Sequence, residues 1–314
     1  MSSPRQAWFT PDFRFIEKDH TRRLVSNILG MFIFVTIGML GQIWAAIKIE
    51  EHSMIIKPFI WGIAYACGML VSGGYSGASF HLGATLGYGM VERKEKNFRK
   101  VIASFFCDIF TTFVAAAVVV FLTLYEMKVH FGDDFRSDGS ARELLVHEFN
   151  SDSNFVEVLA DSAISSFLYA MILTGLTDPT NFGMDRCWFP LYTAINVTVV
   201  GLAFGYVHGS TFNPVIDLVP RVMCSAAKFR NCWSPWYHVL LNFCITIIFG
   251  MFGVLAYDML LEDKIKERQH IVPRIGGRYQ NKNHSEKTYL IRRGRENFTY
   301  LLEDEQEEID AAER

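Results

Sequence analysis

A chain of 314 residues that is 50% hydrophobic and 14% aromatic has ample material for a core, and its length alone would suit one or two soluble domains. Its net charge of −3 is uninformative, because basic and acidic residues are segregated along the sequence, and no nucleic-acid partner is expected. The six cysteines (Cys67, Cys107, Cys187, Cys224, Cys232, Cys244) have no metal-site spacing, although Cys224 and Cys232 can pair if their loop is extracellular.

The placement of the apolar residues excludes the soluble reading. Residues 1–23 are polar and charged, with no cleavable signal peptide visible, and form an N-terminal segment. Six long runs poor in charge follow, at 24–47, 54–75, 101–125, 156–177, 188–207 and 237–257. Each has about 20 residues, enough for a helix to cross a hydrocarbon layer of roughly 30 Å. The loop at 92–100 carries five Lys or Arg, and the segment 262–295 carries ten, whereas the connection at 48–53 carries one. The positive-inside rule then puts both termini in the cytosol.

Two stretches interrupt this pattern. Near the end of the second run comes 75-YSGASFHLGATLG-87, and after the fifth comes 208-HGSTFNPVIDLVPR-221. A shift of 132 residues lays the first three runs over the last three, and Gly77, Phe80 and His81 over Gly209, Phe212 and Asn213. A repeat of three crossings must insert upside down relative to its partner, and inverted repeats with broken helices are a known membrane architecture. The expected fold is therefore an all-α membrane protein: six transmembrane helices and two re-entrant half-helices in an inverted three-helix repeat. Residues 24–258 form the membrane domain, with repeat one at 24–125 and repeat two at 156–258.

Irregular backbone at membrane depth persists only where protein buries it or a wet cavity meets it. Pro214 suits the first position of a half-helix, and Asn213 can cap it while aiming an amide donor inward. Two helix N-termini meeting near the midplane create a positive potential that disfavours cations and lets donors orient a neutral oxygen. The arrangement reads as a filter for small uncharged solutes.

At this point the chain resembles the major intrinsic protein family, the aquaporins and aquaglyceroporins, over roughly residues 22–260. The family carries two Asn-Pro-Ala motifs. The second is here Asn213-Pro214-Val215; the first, after Ser76-Gly77-Ala78, is His81-Leu82-Gly83 and has lost both Asn and Pro. Trp61, fifteen residues before Ser76, and Gly201, twelve before Asn213, match the spacing of the glycerol-conducting branch, as does the Asp217-x-x-Pro-Arg221 run. The filter arginine of the family is replaced by Ile216, and its aromatic partner by Ser210. The resemblance thus implies a constriction of Trp61, Gly201, Ser210 and Ile216 that is more apolar and wider than one holding an arginine. It also implies supporting roles for Asn27, Asp108 and Asp161. Asp161 is expected to accept hydrogen bonds from re-entrant backbone, and Asp108 to brace the first half-helix by holding His81. A neutral His81 can act as donor and cap; histidine titrates near neutrality, which leaves open a pH-sensitive filter.

The tail, 259–314, is basic over 262–295 and acidic over 296–314, with eight acids against one Arg, and is expected to be a disordered cytosolic segment open to an unidentified partner. No nucleophile elbow, phosphate loop or metal cluster points to an enzyme, and no cofactor is expected. The resemblance implies a homotetrameric channel of the plasma membrane that conducts glycerol first and water second. Two alternatives remain: a poorly conducting, channel-derived protein with a structural or regulatory role, and a secondary transporter.

Overall fold

The computed structural model describes residues 19–49, 55–76, 79–91, 95–147, 154–178, 181, 186–208 and 212–262. Its helices, in chain order, are α1 (Asp19–Lys48), α2 (Ile56–Ser76), α3 (Leu82–Val91), α4 (Glu95–Phe131), α5 (Gly139–Glu143), α6 (Phe155–Thr177), α7 (Phe189–His208), α8 (Pro214–Ala226) and α9 (Trp236–Tyr257). No strand occurs among the described residues. The six apolar runs correspond to α1, α2, α4, α6, α7 and α9. Five of these are long and apolar enough to cross a membrane, and α7 has 20 residues. Helix boundaries overrun the apolar runs because membrane depth limits apolarity, not helicity. The run ending at 125 continues as helix to Phe131, where Gly132 at φ 87° returns its N–H to the Lys128 carbonyl and stops the helix.

The two shorter helices give the fold its internal symmetry. Leu82 and Pro214, their first residues, stand 132 positions apart (214 − 82). In the first repeat α1 packs on α2 and α4, and in the second α6 packs on α7 and α9. The half-helices are exchanged: α3 lies on α9, and α8 lies on α4. Contact between α3 and α9 depends on missing side chains. A Cβ on Gly83 would come within 2.6 Å of the Ile247 carbonyl, and one on Gly250 within 2.7 Å of His81 Cε1. Gly83 therefore stands where the resemblance leads one to expect alanine, because α9 leaves no room for a methyl group. Large apolar side chains such as Phe121, Phe110 and Leu70 project outward, as a lipid solvent requires.

At one end of the bundle, a buried arginine ties three segments together. Arg221 is 1% exposed; its Nε and Nη2 each lie 2.9 Å from Asp217 Oδ1. It also donates to the carbonyls of Cys232 (3.1 Å) and His147. The other Asp217 oxygen accepts from Asn242 Nδ2 of α9 at 3.1 Å. Cys224 and Cys232 form a disulfide beside this pair, closing the loop that follows α8. A second tie runs from Arg136 Nε to the Ala227 carbonyl at 2.9 Å. The segment 132–147 is thus fastened to the second half of α8 and the loop that follows it.

Asp178, Asn181 and Glu262 are the described residues of a second unit, in which the Asn181 N–H donates to the Asp178 carbonyl at 3.2 Å. The tail beyond 262 and the segment before 19 lie outside the described residues.

Replacing Arg221 with Met should cost about 3–5 kcal/mol, because it leaves Asp217 as an uncompensated buried charge. Thermal unfolding of the solubilised protein measures this. Adding Asp217→Asn should recover part of the loss, whereas a simple packing defect would be deepened by the second change.

Candidate functional site

The two half-helices approach N-terminus to N-terminus, and the residues just before each of them clasp each other. Asn213, in an extended conformation, caps α8 by accepting the Val215 N–H at 3.2 Å, and Pro214 follows at the first helical position. Its Nδ2 donates to the Phe80 carbonyl at 2.6 Å. His81 does the same from the other side. Its Nδ1 accepts the Ala84 N–H at 3.3 Å, and its Nε2 donates to the Phe212 carbonyl at 2.9 Å. A carbonyl can only accept and a backbone N–H only donate, so these contacts define one neutral tautomer with the proton on Nε2. Ser166 Oγ, 3.3 Å from Nε2, donates onward to the Thr246 carbonyl and fixes the ring from α6 and α9.

This clasp constrains the backbone. Phe80 adopts φ 47°, a left-handed conformation that a bulky residue holds only when its surroundings over-determine it. Its ring is 1% exposed and lies between Phe34 and Tyr65, at centroid distances of 5.7 and 5.3 Å. Aromatic packing and the Asn213 hydrogen bond together hold it. The helix dipoles of α3 and α8 place positive potential at the junction, which disfavours a cation there.

Beside the junction is a cavity of about 30 Å³, lined by Phe34, Trp61, Tyr65, His147, Tyr169, Val197, Phe212, Asn213 and Ile216. This volume suits one or two water molecules. Of the residues expected at the constriction, Trp61 and Ile216 are here. Trp61 is fixed by its Nε1 donating to Gln42 Oε1 at 3.0 Å, while Gln42 Nε2 donates to the Leu144 carbonyl at 2.8 Å. Gly201 is elsewhere, on the α7 face against Pro58, where a Cβ would come within 3.0 Å of the Pro58 Cβ. Val197, one turn earlier on α7, occupies the cavity wall instead. Ser210 lies outside the described residues.

Ile216 stands where the resemblance places an arginine, and His147 shares the cavity lining with it. His147 comes in from the 132–147 segment, its ring 5.9 Å from Trp61 and its backbone carbonyl held by Arg221. Arg221 is thus a loop anchor. Tyr65 and Tyr169 close the cavity toward the Ser79 carbonyl: the Tyr65 hydroxyl donates to it, and the Tyr169 hydroxyl lies 3.1 Å from it.

Among the supporting residues, the expectation that Asp108 holds His81 is overturned. Asp108 faces α1 and accepts from Asn27 Nδ2 at 2.6 Å, and the role assigned to it is filled by Phe212 and Ala84 backbone. Asn27 and Asp108 therefore join α1 to α4. Asp161 lies part-buried on α6, and the re-entrant backbone at 209–211 is outside the described residues. His147, Val197 and Tyr169 were missed because each reaches the site from a distant element. Tyr65 had a usable signal, being one helical turn from Trp61 on the same helix.

A model of the family described as "Major intrinsic protein" matches residues 14–257. The chain is 28% identical over 249 residues to the glycerol uptake facilitator protein of Escherichia coli, covering 74% of this chain and 84% of that protein. It is 23% identical over 231 residues to Aquaglyceroporin-4 of Botryotinia fuckeliana, covering 71% of this chain but only 31% of the relative's length. Its fold is similar to the X-ray structure of the aquaglyceroporin from Plasmodium falciparum, with a TM-score of 0.68 at 17% identity, over 79% of this chain and 99% of the other.

The clasp makes its two members unequal in what they tolerate. Asn213→Asp keeps the cap but sets a carboxylate oxygen against the Phe80 carbonyl, and should destabilise the protein by about 1–3 kcal/mol, the usual cost of leaving a buried polar group unmatched. His81→Asn can supply both the cap and the donor, and should unfold within a few degrees of the parent. Thermal midpoints of both variants in detergent check the ranking; equal losses would mean that the Phe80 bond is unimportant.

Proposed function

The chain belongs to the major intrinsic protein family, whose members are channels, and we propose that it is a passive channel for small uncharged solutes, glycerol and water among them. It is an integral membrane protein with membrane-spanning helices. The observation that carries the proposal is the reciprocal clasp of Asn213 with Phe80 and His81 with Phe212, which joins two helix N-termini beside a cavity. That junction repels cations while keeping neutral hydrogen-bonding solutes admissible.

The preference for glycerol is supported by Trp61 and by a lining that is mostly apolar, against which the carbon edge of a polyol can lie. The names of the relatives favour the same solute class. The disulfide between Cys224 and Cys232 favours an oxidising environment on the α8 side, hence a plasma-membrane channel with both termini in the cytosol. A homotetramer and a partner for the charged tail complete the proposal. Asn213, Pro214, Val215, His81, Leu82 and Gly83 form the junction in this reading, and Trp61, Ser210 and Ile216 the filter, with Val197 on the α7 wall where Gly201 was expected.

One observation favours the second reading, a poorly conducting protein. The cavity is lined largely by aromatic and apolar side chains, with Ile216 where the resemblance places an arginine, and an apolar constriction can obstruct flow by dewetting.

Osmotic swelling of proteoliposomes decides between the two. Glycerol should pass above the leakage of empty liposomes; if water, glycerol and urea all stay at leakage with folded protein, the non-conducting reading holds. Ile216→Arg should add charge and donors to the cavity wall and shift selection toward water over glycerol. Unchanged selectivity in the folded variant would remove Ile216 from the filter.

A further inference from the structure

Ser79 lies just before the Phe80–His81 approach to α3, where the backbone is not helical and its carbonyl must find a donor at membrane depth. Two phenols supply it. The Tyr65 hydroxyl of α2 donates to this carbonyl; the Tyr169 hydroxyl of α6 donates to the Tyr65 oxygen at 2.7 Å and lies 3.1 Å from the same carbonyl. Both tyrosines are 1% exposed and both line the cavity, whereas Ser79 does not. Their rings therefore stand between the cavity and the acceptor. The Tyr169 ring also covers the junction, 4.7 Å from Phe212 and 5.0 Å from His81.

We propose that Tyr65 and Tyr169 form an exchangeable plug, their hydroxyls occupying the carbonyl that a permeating hydroxyl must use. The proposal rests on the channel reading above. A solute with a hydrogen-bond donor can replace a phenol on Ser79 at little net cost, since one bond is lost and another made. A solute without a donor would leave the buried carbonyl unpaired, which is unfavourable. The plug thus selects for water, polyols and amides by chemistry as well as by size. It also supplies the polar discrimination that the Ile216 position lacks.

The test uses the full chain in proteoliposomes, with swelling measured in glycerol and in water, and folding checked by thermal midpoint. Tyr169→Phe keeps the ring and removes one hydroxyl; it should raise glycerol flux about five- to tenfold, the weight of one ordinary hydrogen bond. The Tyr65→Phe, Tyr169→Phe pair should raise it further, and the pair of alanine substitutions should admit larger polyols. The phenylalanine variants decide the matter if the alanine pair does not fold. Flux above leakage that is the same in parent and variants overturns the plug and leaves the channel standing. A fall in flux also overturns it, since the hydroxyls would then be carrying the solute. Leakage-level flux in every protein overturns plug and channel together, because removing the obstruction opened no path.

Discussion

Backbone polar groups at membrane depth have no water to satisfy them, and the architecture follows from how this chain meets that constraint. Ser79, Phe80 and Phe212 each present a carbonyl outside any helix. Phe80 is served by Asn213 and Phe212 by His81, each across the two repeats, while Ser79 is served by Tyr65 of the adjoining α2 and approached by Tyr169 of the other repeat. The half-helices can hold their positions only if both repeats are folded, because each donor comes from another part of the chain. Packing repeats the same dependence: α3 rests on α9 and α8 on α4. The fold is therefore two interlocked halves rather than two halves in contact.

The exchange of His81-Leu82-Gly83 for an Asn-Pro-Ala motif is less disruptive than the letters suggest. Imidazole and carboxamide each offer one acceptor and one donor at similar separation, so His81 caps α3 and reaches across as Asn213 does. The cost appears elsewhere. An imidazole is bulkier, and the neighbouring helix answers with Gly250, where a Cβ would strike the ring. Gly83 then lets the same helix approach α3 from the other side.

The loss of a guanidinium at position 216 has a different consequence. Isoleucine offers no donor, and the cavity there is closed by aromatic groups and by His147. The nearby arginine, Arg221, is fully engaged with Asp217 and two loop carbonyls. It contributes rigidity to the loop that delivers His147. The charge of Arg221 is held in the scaffold, and the cavity wall itself offers neutral hydrogen-bonding groups to a solute.

The sequence by itself determined the six helices, the half-helices and the 132-residue repeat. Run length against bilayer thickness and Pro214 at a helix start are local or periodic features, written directly in residue order. It also placed Trp61, Ile216 and Asn213 near one another, since the spacing of repeated elements carries over into space. Only the tertiary structure decided that Asp108 meets Asn27 rather than His81, that Gly201 backs onto Pro58, and that His147 and Tyr169 close the cavity. Those outcomes depend on helix rotation and on the path of a surface segment. A rotation of one residue, about 100° on a helix of 3.6 residues per turn, changes which neighbour a side chain meets without altering any pattern in the sequence.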